Sequence, residues 1–166
     1  MPPTMASSPL TLNVEVFGSG PALVALHGFG SSIYSWHSIR AELSASHTVH
    51  ALDMKGSGLS PKPRDGRYSV YDQSALVLDY IARNHLTNVT VLGHSFGGGV
   101  ARATARRFAR CAHHLGRHDR VIPLANGQRL ARDIADSRLI IIETSGHIPH
   151  EEVPDAVRKP LTYFLR

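Results

Sequence analysis

Gly93-His94-Ser95-Phe96-Gly97 sets a single serine between two glycines. The apolar run NVTVL (88–92) precedes it and an alanine- and arginine-rich stretch follows. A strand that turns at once into a helix forces the middle residue of such a G-x-S-x-G segment into a strained backbone conformation, with its side chain at the tip of the turn. The glycines keep other side chains away, and the helix N-terminus favours developing negative charge. These are the requirements of a serine nucleophile. A chance turn of small residues would carry the same letters; the strand before and the helix after argue for the chemical reading.

A serine hydroxyl attacks poorly unless a base takes its proton. His147, in Ser145-Gly146-His147-Ile148-Pro149, is the candidate base. It lies just past the run LIIIE, and loops at the C-terminal ends of strands are where α/β sheets build their sites. The chain has 11 histidines, so a plain surface histidine is the competing reading, and position decides against it. The base needs a carboxylate that orients it and stabilises imidazolium. Asp119, in Gly116-Arg117-His118-Asp119-Arg120-Val121-Ile122-Pro123, supplies one, although it could simply cap the helix that follows. Asp133 and Asp136 lie in or after that helix and are weaker candidates. A tetrahedral intermediate needs donors for its oxyanion. The backbone N–H groups of Phe96 and of Phe29, in His27-Gly28-Phe29-Gly30, are expected to provide them.

Strands and helices must alternate to bring these residues together. Residues 10–17 alternate like a strand, and 22–26 (ALVAL) form a continuous apolar run suited to a strand buried on both faces. Residues 33–44 have helical spacing, 47–52 read as a strand, and a loop rich in glycine and proline follows. Helices are expected over 70–84, 97–110, 124–135 and 153–165, the last kinked or shortened by Pro160. Short strands are expected over 88–92 and 139–143. The order predicts an α/β fold with a mostly parallel sheet and helices on both faces.

The segments ALVALHGFGSS, DMKGSGLS, NVTVLGHSFGGGVA, GRHDRVIP and SGHIPHEEVP resemble those of the α/β-hydrolase superfamily, in the same order and over almost the whole chain. The similar branch holds esterases, carbon–carbon bond hydrolases, cofactor-free haloperoxidases, epoxide hydrolases and haloalkane dehalogenases. The resemblance implies a Ser95–Asp119–His147 triad. The last two groups use an aspartate nucleophile, so Ser95 points to ester or related acyl chemistry. Perhydrolase or haloperoxidase chemistry, or carbon–carbon bond hydrolysis, with the same triad is the alternative. A non-catalytic binding protein of hydrolase-like fold is a further one.

The chain departs from that family in one place. Ser95 and Asp119 are 24 positions apart (95 to 119). Relatives carry there another core strand and a cap domain over the active site. The chain thus reads as a single domain over 1–166 without a cap, with an apparent deletion near 110–114. In one reading residues 111–116, a poor strand by composition, lie beside NVTVL and replace the missing strand, which a right-handed crossover through helix 97–110 permits. In the other, the fold is damaged and rescued by dimerisation, or inactive. The first is preferred. An open, wet site implies broad, modest activity on small activated esters, and exposed apolar surface makes a homodimer an expectation.

Composition removes several classes. Of 166 residues, 42% are hydrophobic and 19% charged, which describes a globular chain. The net charge is +5, but Arg102, Arg106, Arg107 and Arg110 form one polar helix strip with no interleaved aromatics, so no nucleic-acid partner is expected. No apolar run is long enough to span a membrane, and the first residues do not read as a signal peptide. The one cysteine, Cys111, precludes an internal disulfide and fits a reducing compartment, so a cytoplasmic location is expected. His113, His114 and His118, and the pair His147 and His150, lack the setting of a metal site. No metal or cofactor is expected.

Overall fold

The computed structural model describes residues 10–105, 111–133 and 137–165. Six strands form one sheet in the order β1-β3-β2-β4-β5-β6. They are β1 (Val14–Gly18), β2 (Ala22–Leu26), β3 (Thr48–Leu52), β4 (Thr90–Gly93), β5 (Cys111–Gly116) and β6 (Ser137–Ile142). β1 runs antiparallel to β3, and every other pair is parallel. The helices are α1 (Arg40–Ser44), α2 (Val70–Arg83), α3 (Phe96–Ala105), α4 (Leu124–Asp133), α5 (Pro149–Glu152) and α6 (Pro154–Leu165).

Side chains alternate across a strand, so each central strand feeds two cores. From β2, Leu23 and Ala25 join Trp36, Ile39, Leu43, Val157 and Leu161 on one face, under α1 and α6. Val24 and Leu26 join Val77 and Ile81 of α2 and Val100 and Ala101 of α3 on the other. This places helices on both faces of a mostly parallel sheet, as the alternating pattern requires.

Several boundaries differ from expectation, each for a local reason. The first strand begins at Val14 because Asn13 is tied into the loop after β3: its N–H donates to Ser60 Oγ at 2.8 Å and its side-chain amide to Asp53 Oδ2 at 2.9 Å. The expected helix 33–44 divides into a 3₁₀ segment, Ile33–Ile39, and α1, because Ile39 (φ −122°, ψ 15°) leaves helical geometry between them. Ser32 Oγ and Asp53 Oδ1 take the N–H groups at its start. β4 begins at Thr90, not Asn88, since Asn88 turns with φ 50°. Pro160 does not end α6, which runs through it to Leu165; Val157, Leu161, Phe164 and Leu165 bury that helix's apolar face and outweigh the lost backbone bond. Residues 106–110 of helix 97–110, with Arg106, Arg107 and Arg110, and residues 134–136 lie outside the described residues.

The segment 111–116 is a strand. β5 lies beside β4 (Val91↔Cys111, Leu92↔Ala112) and pairs with β6 from Cys111↔Ser137 to Gly116↔Ile142. This is the strand placement that the preferred reading of the short connection expects. Among the described residues, no helix is long and apolar enough to cross a membrane.

Candidate active site

The turn between β4 and α3 is as tight as its sequence requires. Ser95 has φ 51°, the left-handed region that a residue with a side chain rarely enters. Ser95 O accepts from the N–H of Gly98 at 2.9 Å, so the helix starts immediately behind Ser95. Gly97 must be glycine: a Cβ there would stand 2.2 Å from Leu26 O and 2.4 Å from His27 O, at the end of β2. The turn carrying Ser95 therefore sits directly against the loop His27-Gly28-Phe29-Gly30.

That loop is pinned from beneath. His27 is fully buried, donating from Nδ1 to Gly28 O at 2.7 Å and accepting at Nε2 from Met54 N–H at 3.1 Å. Burial pushes its pKa down, which suits the neutral ring that both bonds need. A Cβ on Gly28 would come within 3.3 Å of Ser95 Cβ, so the loop backbone and the serine are neighbours. The Phe29 ring is exposed and meets Phe96 edge to face, centroids 6.4 Å apart.

The candidate base and acid arrive from adjacent strands. His147 follows β6 and Asp119 follows β5. His147 Nε2 is 2.9 Å from Ser95 Oγ, and His147 Nδ1 is 2.9 Å from Asp119 Oδ2. With the proton on Nδ1, His147 donates to the carboxylate and accepts from the serine. The Asp119 side chain is 2% exposed and that of His147 24%, so the carboxylate is sealed while the imidazole keeps some access to solvent.

Asp119 does two jobs at once. Its Oδ1 accepts from Val121 N–H and Ile122 N–H, both at 2.8 Å, which shapes the turn before α4, while Oδ2 faces His147. Burial pushes its carboxyl up. The N–H of Ile122, the bond from His147 and the N–H of Val121 outweigh this and hold it below the usual carboxylate range. Oδ1 thus holds two N–H groups of the turn that precedes α4, while Oδ2 faces His147. Asp133 is the last residue of α4, and Asp136 lies outside the described residues.

Backbone bonds stitch the two loops together. Arg117 N–H donates to Ile142 O at 2.9 Å and His118 N–H to Ser145 O at 3.0 Å. Gly116 allows this approach, since a Cβ there would stand 2.0 Å from Gly146 O.

Two residues beyond the expected set touch the base's loop. His94 Nε2 lies 2.8 Å from His147 O, and burial lowers the pKa of His94. Glu152 contacts the backbone on both sides of His147. Nothing in the side-chain spacing of GHIPHEE marks Glu152, because its partners are backbone N–H groups. The His150 ring stacks on Trp36, centroids 5.1 Å apart.

Comparison with known proteins agrees with this architecture. The sequence model of the alpha/beta hydrolase fold matches residues 21–115. An uncharacterized protein of Mycobacterium tuberculosis is 38% identical over 101 residues, covering 61% of this chain and 29% of that protein. The pimeloyl-[acyl-carrier protein] methyl ester esterase of Aeromonas salmonicida is 39% identical over 109 residues, covering 64% of this chain and 40% of the esterase. The matched part thus spans well under half the length of these relatives. Among solved structures, an esterase from Exiguobacterium antarcticum superposes with a TM-score of 0.84 at 18% identity, covering 93% of this chain and 95% of that one. A sheet of this order, a strained serine at the end of β4 and a family match over more than half the chain lead to one assignment: the chain belongs to the alpha/beta hydrolase family.

Proposed function

We propose that the chain is a serine hydrolase that cleaves small carboxylic esters through an acyl-enzyme. The observation that carries this reading is the placement of one imidazole, His147, 2.9 Å from Ser95 Oγ and 2.9 Å from Asp119 Oδ2. His147 takes the proton of Ser95 as Oγ attacks the ester carbonyl. Asp119 holds the ring and stabilises the imidazolium. The N–H groups of Phe29 and Phe96 are the proposed oxyanion donors. Collapse of the tetrahedral intermediate transfers the proton from His147 to the departing alkoxide. Water, activated by the same imidazole, then attacks the acyl group and frees Ser95.

The matched esterase of Aeromonas supports an ester substrate for this chain. The rings of Phe29 and Phe96 beside Ser95 offer an apolar surface to the acyl group. Residues 106–110 alone separate α3 from β5, which leaves no room there for a cap domain. The site is accordingly proposed to be open, with little selection among short acyl chains. Purified protein should hydrolyse p-nitrophenyl acetate and butyrate, and Ser95→Ala should abolish this. Equal turnover by wild type and Ser95→Ala would exclude the proposal.

A further inference from the structure

We propose that Glu152 is a positioning residue for His147: its carboxylate grips the peptide backbone on both sides of the base. This inference rests on the hydrolase reading above. Glu152 Oε2 accepts from Gly146 N–H at 2.6 Å and Oε1 from Ile148 N–H at 2.9 Å. One carboxylate thus spans the residue between them. His94 adds a third hold, with Nε2 at 2.8 Å from His147 O.

A helix cap would explain only half of this. Ile148 is the N-cap of α5 and has no side-chain cap of its own, so Glu152, four residues on, serves that N–H. Glu152 N–H returns to Ile148 O at 2.9 Å and closes the turn. The N–H of Gly146 lies outside the helix and precedes the base, and capping α5 does not require it. Backbone hydrogen bonds from Ile148 and Gly146 hold the Glu152 carboxyl below its usual range, so at neutral pH both oxygens accept.

The grip matters because the imidazole must satisfy two partners at once. A shift of about 1 Å at such a site costs on the order of 100-fold in rate. An amide at position 152 keeps one accepting oxygen and turns an NH2 group towards the other N–H. Glu152→Gln therefore loses about half the grip and Glu152→Ala all of it.

The test uses the whole chain, a fluorophosphonate that reacts with activated serines, and p-nitrophenyl butyrate. Wild type, Glu152→Gln and Glu152→Ala are compared for labelling rate, labelled fraction, kcat and KM. In Glu152→Ala the account expects complete labelling at a rate reduced by about 10-fold or more. The loss should appear in kcat with KM little changed, and Glu152→Gln should fall between. If Glu152→Ala does not fold, Glu152→Gln carries the same criteria. Labelling of the variants at the wild-type rate overturns the proposal. A rate loss that only tracks a smaller labelled fraction also overturns it, since Glu152 would then serve stability alone. A wild type that never labels overturns the hydrolase reading itself.

Discussion

Asp119 Oδ2 lies 2.9 Å from His147 Nδ1 although the chain reaches Asp119 by a short route. The two residues leave neighbouring parallel strands, β5 and β6, which are paired up to Gly116↔Ile142. His118 N–H binding Ser145 O sets the height of one loop against the other. A strand beside β4 is therefore enough to bring Asp119 to His147.

The two oxygens of Asp119 can be separated by mutation. Asp119→Asn can keep its carbonyl oxygen on the N–H groups of Val121 and Ile122 while placing NH2 against His147 Nδ1. That favours the wrong tautomer, and kcat should fall by about 10⁴-fold with little change in Tm. Asp119→Ala should match that loss and also cost about 1–2 kcal/mol in denaturant unfolding, because the turn loses its acceptor. Ester turnover by Asp119→Asn within tenfold of wild type would show that the 2.9 Å contact is not used.

Gly116→Ala tests the seam between the acid and base loops. Its Cβ would fall 2.0 Å from Gly146 O and 2.3 Å from Ser145 O, both backbone atoms that cannot swing aside. The loops must part, so kcat should drop about 100-fold and stability by about 1–3 kcal/mol. Unchanged kinetics with a normal Tm would mean that the seam does not hold Asp119 to His147.

What the sequence revealed follows from how local each signal is. The serine turn was legible because its cause is local: strand, glycine, serine, glycine and helix lie within a dozen residues. His147 was legible from its place after an apolar strand. Asp119 was legible as a candidate, but its double use of Oδ1 and Oδ2 depends on a loop from another strand. β5 was barely legible, since CAHHLG has weak strand character and its pairing comes from neighbours on both sides. Glu152 and the His94 contact went unread because backbone N–H and C=O groups leave no mark in the side-chain pattern. The extent of α6 was legible from its apolar spacing, and it is not shortened at Pro160 because tertiary burial outweighs a local rule.

Stability should fall as the medium is acidified below neutral. Burial lowers the pKa of His27, His50 and His94 in the folded chain. Unfolded histidine titrates near pH 6.5, so between the folded values and about that pH the unfolded chain holds more protons. Stability then rises with pH across that window and is lost on going down through it. Tm measured at pH 8 should exceed Tm at pH 5.5. An equal or higher Tm at pH 5.5 would contradict the neutral, buried histidines.

The central claim is that Ser95 becomes acylated, and the direct measurement is intact-protein and peptide mass spectrometry after brief mixing with p-nitrophenyl butyrate and an acid quench. The account predicts a butyryl adduct on the peptide containing Ser95 in the wild type and none in Ser95→Ala. A wild type that releases p-nitrophenol with no adduct on Ser95, or an adduct of the same yield elsewhere in Ser95→Ala, would contradict it.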